Sequence, residues 1–174
     1  LSFFFHAVLT LVVLQRVFEL LLARRNRLHI IRMGGQEIGA DHYKYLVGLH
    51  VLFFLSLTAE VSWRSAGQAV WWWIPFALFL LAQLARYWCI RSLGRCWNTR
   101  IYVIPGRPLI RRGPYRYVRH PNYWVVAIEL LTLPLVFSAY ATALVFSVLN
   151  AWLLLRVRIP AEERGLALAE KKRG

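Results

Sequence analysis

"RRGPYRYVRHPNYW", Arg111 to Trp124, puts four arginines, three tyrosines, a histidine and two prolines into a chain that is otherwise largely apolar. Its decisive residue is Pro121, because proline suits the first position of a helix, where its missing N–H leaves no bond unmade. A helix therefore begins there, with His120 at its cap. Downstream, Asn122 to Ser138 and Tyr140 to Leu155 read as a tight pair of apolar helices. Upstream, Gly94 to Pro121 is too polar to cross a bilayer. Before it lie three stretches of about 20 apolar residues, the length a spanning helix needs: Leu1 to about Ala23, about Tyr45 to Trp63, and about Trp71 to Leu93. The first lacks the short apolar core and small-residue cleavage site of a signal peptide and reads as a retained helix.

The composition agrees with five spans: 59% of the 174 residues are apolar and 15% aromatic. The net charge of +14 would suggest nucleic acid in a soluble protein. Here the basic residues fall between the apolar runs and form no continuous face, so no nucleic-acid partner is expected. Arg24, Arg25, Arg27, Arg32 and Lys44 follow the first span. Arg91, Arg95, Arg100, Arg107, Arg111, Arg112, Arg116 and Arg119 follow the third, and Arg156, Arg158, Arg164, Lys171, Lys172 and Arg173 the fifth. The other two connections hold only Arg64. The positive-inside rule then puts the N-terminus outside and the C-terminus in the cytoplasm, with the basic segments also attracting anionic membrane lipids. Arg111 and Arg112 are expected to face headgroups, and Trp71 to Trp73 to form an outer aromatic belt. Cys89 and Cys96 read as reduced thiols, and no metal-ligand spacing occurs.

Ionisable groups inside a bilayer are costly, so each calls for a partner or a function. Gln15, Arg16 and Glu19 share a face of the first helix and suit an interhelical polar seam; Gln83 and Arg86 repeat the spacing in the third. Glu129 lies two turns beyond Asn122 on the same face. It reads either as an acid paired with an arginine of another helix or as part of a ligand site, and counts among the cofactor-binding candidates.

Within the polar segment, Thr99 to Ile104 and Leu109 to Ile110 flank Pro105-Gly106 and suggest a short hairpin. Gly113-Pro114 is a second turn. The start of the fourth helix carries free N–H groups and a partial positive charge, so with Arg116 and Arg119 it suits an anionic group. Pro160 starts another helix just past the last span, with Glu162 and Glu163 in its first turn. Because Ser138-Ala139 joins two antiparallel neighbours, His120 to Tyr123 must face Arg156 to Glu163.

These two stretches, R-H-P-x-Y at Arg119, His120, Pro121 and Tyr123 and R-x-x-x-E-E at Arg158, Glu162 and Glu163, resemble the isoprenylcysteine carboxyl methyltransferase family of integral-membrane enzymes. The resemblance covers the half from about Gly94 onward. "RVFELLLARRNR", "GADHYK" and "LGRCWNTRI" look like its smaller bacterial branch, some of which is similar to O-methyltransferases of alkylpyrones or alkylresorcinols. One departure is Trp124-Val125, where the family usually has a glycine soon after the tyrosine.

The resemblance implies an all-α integral membrane protein forming one domain, with residues 1–93 supplying three spans and 94–174 a cytoplasmic cofactor pocket. That pocket would be closed by the connection between the third and fourth helices and by the C-terminal helix. It implies S-adenosylmethionine as cofactor, held by Arg119, His120, Pro121, Asn122, Tyr123, Glu129, Glu162 and Glu163. It also implies a lipophilic acceptor entering from the bilayer, Arg158 orienting the nucleophile, and His120 or Glu163 as base where the acceptor is a hydroxyl. The other readings are a prenylcysteine carboxyl methyltransferase proper and a non-catalytic membrane assembly or transport protein.

Overall fold

A computed structural model of the chain describes residues 2–64, 68–106, 108 and 110–171. Arg107, Leu109, Lys172 and Arg173 lie outside the described residues. The helices are α1 (Ser2–Arg32), α2 (Ala40–Arg64), α3 (Trp73–Leu93), α4 (Pro121–Val136), α5 (Tyr140–Leu153) and α6 (Ile159–Lys171). Two short strands, β1 (Gln36–Ile38) and β2 (Ile101–Val103), complete the regular structure together with 3-10 turns at Gly94–Cys96 and Gly113–Arg116.

Among the described residues, four helical stretches are long and apolar enough to cross a membrane: Phe3–Arg32, Ala40–Arg64, Trp73–Cys96 and Tyr140–Ala169. The expected fifth span is apolar but shorter: α4 has 16 residues, about 24 Å of helix against a hydrocarbon core of about 30 Å. Large apolar side chains such as Leu14, Phe18, Leu52, Leu55, Leu81 and Leu84 are exposed along α1, α2 and α3. Helices that bury one apolar side and leave another uncovered suit a lipid surround. Phe5, Val12, Phe53, Leu57, Phe79, Leu130, Leu133 and Phe146 pack the interior at the end away from the polar segment. Trp71 and Trp73 are exposed, while Trp72 packs its ring on Phe4 and Phe76.

Of the boundaries that differ from the sequence reading, such as the start of α2 at Ala40 rather than about Tyr45, three have a local reason. Helix α1 runs nine residues past Ala23, since no breaker occurs before Gly34-Gly35. There Gly34 takes φ +80° and Gly35 N–H bonds back to Ile30 O, a glycine-terminated helix end. Helix α4 stops at Val136 rather than Ser138, and Ser138 turns the chain with φ +58°. The last span does not end before Pro160 but continues into α6 through a π-helical turn at Leu154–Arg158. Proline cannot bond to the carbonyl four residues back, and its ring crowds that carbonyl, so widening the preceding turn lets the helix pass.

The expected hairpin around Pro105-Gly106 is corrected. The turn is present, with Gly106 at φ +75°, but β2 pairs with β1, antiparallel, Gln36 opposite Val103 and Ile38 opposite Ile101. Pro108 has no N–H to offer a ladder. The distant Gln36–Ile38 segment meets β2 instead, and Ile38 packs with Ile101, Val103 and Ala161.

Candidate functional site

Pro121 starts α4 as its chemistry requires, and His120 occupies the cap position, but the imidazole makes no capping bond. It faces α6 instead, with Nδ1 3.5 Å from Glu162 Oε2 and Nε2 3.6 Å from Glu163 Oε1. Its ring stacks on Tyr123 at 5.5 Å and 20°. Glu162 foremost, with Glu163, raises the imidazole pKa above its ordinary value against the opposing effect of burial. The Tyr123 hydroxyl donates to Glu162 at 2.5 Å. At the exposed rim, Arg119 donates to Glu163 at 3.3 Å.

Arg158 enters from the π-helical turn. One extra residue in a turn rotates the residues after it by about 100°, and Arg158 itself is buried, with Nη2 donating to the Thr99 carbonyl at 3.0 Å. Its guanidinium carbon lies 5.9 Å from the Tyr123 ring centre.

The connection from α3 to α4 closes the other side through contacts with earlier parts of the chain. Asn26 donates to the Trp97 carbonyl at 2.8 Å, and Asn98 donates to the Ala23 carbonyl at 2.8 Å, fastening the connection to the extension of α1. Tyr43 and Thr99 share a hydroxyl–hydroxyl bond of 3.0 Å. Arg100 pairs with Glu37 at 2.5 Å and lies over the Tyr43 ring at 4.3 Å.

Two cavities among the described residues meet here. A polar one of about 130 Å³ is bounded by Asn98, Arg100, Tyr102, Tyr115, Arg119, His120 and Glu162, among others. A larger one of about 280 Å³ runs between α1 and α2 and is mainly apolar, bounded by Val13, Val17, Leu20, Leu46, Val47, Val51 and Phe54. Trp97, Thr99, Asn122, Tyr123 and Arg158 border both. Three of these hold a buried polar atom with no hydrogen-bond partner: Trp97 Nε1, Asn122 Oδ1 and Arg158 Nε. Buried polar groups are normally paired, and these three atoms have no partner among the described residues. His120 Nε2 is likewise buried without a hydrogen bond.

The structure thus brings together Arg119, His120, Pro121, Asn122, Tyr123, Arg158, Glu162 and Glu163. It does not bring Glu129 to the polar cavity. Glu129 Oε1 accepts from Gln83 at 2.9 Å and Arg86 Nε at 2.8 Å, and Oε2 accepts from Arg16 at 3.0 Å and from Arg86 Nη2. Arg16 and Arg86 also hold Glu19, while Gln15 bridges Glu19 and Gln83. Of the two sequence readings for Glu129, this is the ion pair. Arg116 does not line the cavity either and lies 6.0 Å from the Tyr117 ring centre. Arg111 and Arg112 are exposed. The Trp124-Val125 departure is accommodated: Trp124 points outward, 66% exposed, and Val125 packs with Ala82 and Cys89. Sequence reasoning missed Tyr43, Trp97 and Thr99, whose place depends on contacts across more than fifty residues.

The isoprenylcysteine carboxyl methyltransferase (ICMT) family pattern matches residues 73–168. Uncharacterized protein YpbQ of Bacillus subtilis is 43% identical over 162 residues, covering 93% of this chain and 96% of its own. An uncharacterized protein of Haemophilus influenzae is 30% identical over 158 residues, covering 87% of this chain and 88% of its own. No solved structure matches. With four apolar helices of spanning length and a match that contains Tyr123, Arg158 and Glu162, the chain is an integral membrane protein that belongs to the ICMT family.

Proposed function

We propose that this protein transfers a methyl group from S-adenosylmethionine to an oxygen of a lipid-like acceptor, such as an alkylpyrone or alkylresorcinol hydroxyl. The observation that carries the reading is the common wall: a polar cavity and a mainly apolar groove between α1 and α2 meet at Tyr123, Asn122 and Arg158. A water-soluble cofactor and a bilayer-borne acceptor need two such rooms with one partition. Family membership supports methyl transfer as the reaction.

The residues present fit the cofactor. The free Asn122 Oδ1, the His120 Nε2 and the start of α4 offer acceptors and donors where a zwitterionic amino acid and a nucleoside would need them. His120, whose protonated form is favoured by Glu162 and Glu163, with Arg119, would hold the carboxylate. Glu162 and Glu163 would take ribose hydroxyls or the amino group, and Tyr123 would stack on or bond the adenosine. S-adenosylmethionine supplies a methyl group on a sulfonium, ready for in-line displacement. The chain's task is therefore to position the acceptor oxygen and exclude water. Arg158, buried in the shared wall, orients that oxygen. A carboxylate needs no base; for a hydroxyl, His120, which borders the polar cavity, or Glu163 at its rim would take the proton.

In this reading α4 is a fifth, short span whose polar start is recessed below the membrane surface, and the basic connections support a site on the cytoplasmic face of a bacterial cell membrane. Purified protein should bind S-adenosylmethionine and its demethylated product saturably. It should then methylate one class within a panel of alkylpyrones, alkylresorcinols, fatty acids and farnesylcysteine. Activity on farnesylcysteine alone would move the assignment to a prenylcysteine carboxyl methyltransferase. Absence of saturable cofactor binding would overturn both enzyme readings and leave a non-catalytic membrane protein.

A further inference from the structure

The apolar groove has a floor that the methyl-transfer reading does not use. From the Tyr43 level, beside the polar cavity, to Phe54 is eleven residues of α2, about 16 Å along the helix axis. At that far end Arg16, His50 and Phe54 border the groove and, on their other side, a second small apolar cavity of about 20 Å³ against Val12, Phe53, Phe79, Leu130 and Leu133. The three side chains are therefore a partition between two apolar spaces.

Each member of that partition is fixed. Arg16 is tied to Glu19 at 2.7 Å and to Glu129 at 3.0 Å. His50 Nδ1 bonds the Leu46 carbonyl at 2.8 Å, which sets the ring's orientation. Phe54 meets the Phe53 ring edge-on at 5.3 Å, and Phe53 itself sits in the buried core. A wall held by ion pairs, a ring-to-backbone bond and core packing does not swing aside as a loose side chain would.

We infer that Arg16, His50 and Phe54 form the end wall of the acceptor's tail site and limit the length of the single alkyl tail it accepts. The inference rests on the groove being the acceptor site of the proposed methyl transfer. With the reacting end of the acceptor at Arg158 and Tyr123, the tail lies along Val47 and Val51 and its last carbons meet Phe54. Between bilayer and groove an alkyl chain exchanges one apolar surround for another, so added length is not rewarded by burial as it is from water. Selection comes instead from fit: a tail too long by a methylene overpacks the wall, a penalty equivalent to about tenfold in relative occupancy.

The test is a competition among saturated fatty acids of graded length, offered as an equimolar mixture to the full chain in lipid nanodiscs, with bound species identified by mass spectrometry. The unmodified protein should show a sharp upper limit. Phe54→Ala joins the groove to the second cavity and should raise occupancy by the first excluded tails about tenfold; Phe54→Trp should lower the limit. Because Phe54→Trp fills space instead of emptying it, the pair remains informative even where the alanine variant is less stable. One common limit in all three proteins overturns the inference. A limit that moves with residue 54 while no acceptor is ever methylated would keep the tail site and defeat the methyltransferase reading.

Discussion

Tyr123 and Glu162 are 39 residues apart in the chain, yet the tyrosine hydroxyl donates to the glutamate at 2.5 Å and pins the start of α4 to the first turn of α6. Both residues line the polar cavity's closing edge, so the bond sets its shape. A hydrogen bond to a charged group contributes about 1.5–3 kcal/mol. Tyr123→Phe should therefore weaken binding of the demethylated cofactor by roughly ten- to hundredfold, and Glu162→Gln should do at least as much. Isothermal titration calorimetry reads this directly. Wild-type affinity in both variants would remove this pair from the cofactor site.

Arg158 separates binding from turnover. Its guanidinium borders both cavities, and its Nε is free while Nη2 is held by Thr99. Where a side chain positions a reacting atom, misplacement by about 1 Å can cost on the order of a hundredfold in rate. Arg158→Ala should lose about that much turnover, with cofactor affinity changed far less. Arg158→Lys keeps the charge but not the planar fork, and should stay closer to the alanine variant than to wild type. Steady-state kinetics beside a cofactor-binding isotherm decides it; unchanged turnover in the alanine variant rejects the role.

The His120 contacts give the α4–α6 junction a pH dependence of known sign. Glu162, then Glu163, raises the imidazole pKa in the folded state, so folding favours the protonated ring. That stabilisation is complete below the unfolded value of about 6.5 and disappears as pH rises through the raised folded value. Limited proteolysis within α6 should accelerate as pH rises from the unfolded value through the raised folded one, and His120→Gln should flatten the profile. A profile that is equally steep in His120→Gln would assign the transition to another group.

Much of this arrangement was legible because it follows from local chemistry. Pro121 sets the start of α4 by geometry alone, and the two-residue link at Ser138-Ala139 forces α4 and α5 to be antiparallel, which brings His120 opposite Glu162 without further information. The second wall was not legible. Tyr43, Trp97 and Thr99 reach the cavity through β1–β2 pairing and the Asn26 and Asn98 bonds, and neither the three-residue strands nor those asparagines carry a pattern that names its partner. The π-helical turn was hidden for a related reason. A proline can end a helix or be absorbed by a widened turn, and packing of α6 against β2 favours the continuation.

The buried cluster of Arg16, Glu19, Arg86 and Glu129 offers a sharper test, because its charges balance two against two. Glu19, Arg86 and Glu129 are each at most 6% exposed, and the cluster ties α1, α3 and α4 in a region where water cannot substitute for a missing partner. Removing one buried member strands a charge, at about 3–5 kcal/mol, whereas removing an oppositely charged pair leaves the remainder neutral. Glu129→Leu alone should thus lower the thermal unfolding midpoint in detergent strongly, as should Arg86→Met alone. The double variant should recover most of the loss, since Arg16 and Glu19 still satisfy each other at 2.7 Å. Additive losses in the double variant would mean that the four residues are separate contacts, with no shared charge balance joining the first, third and fourth helices.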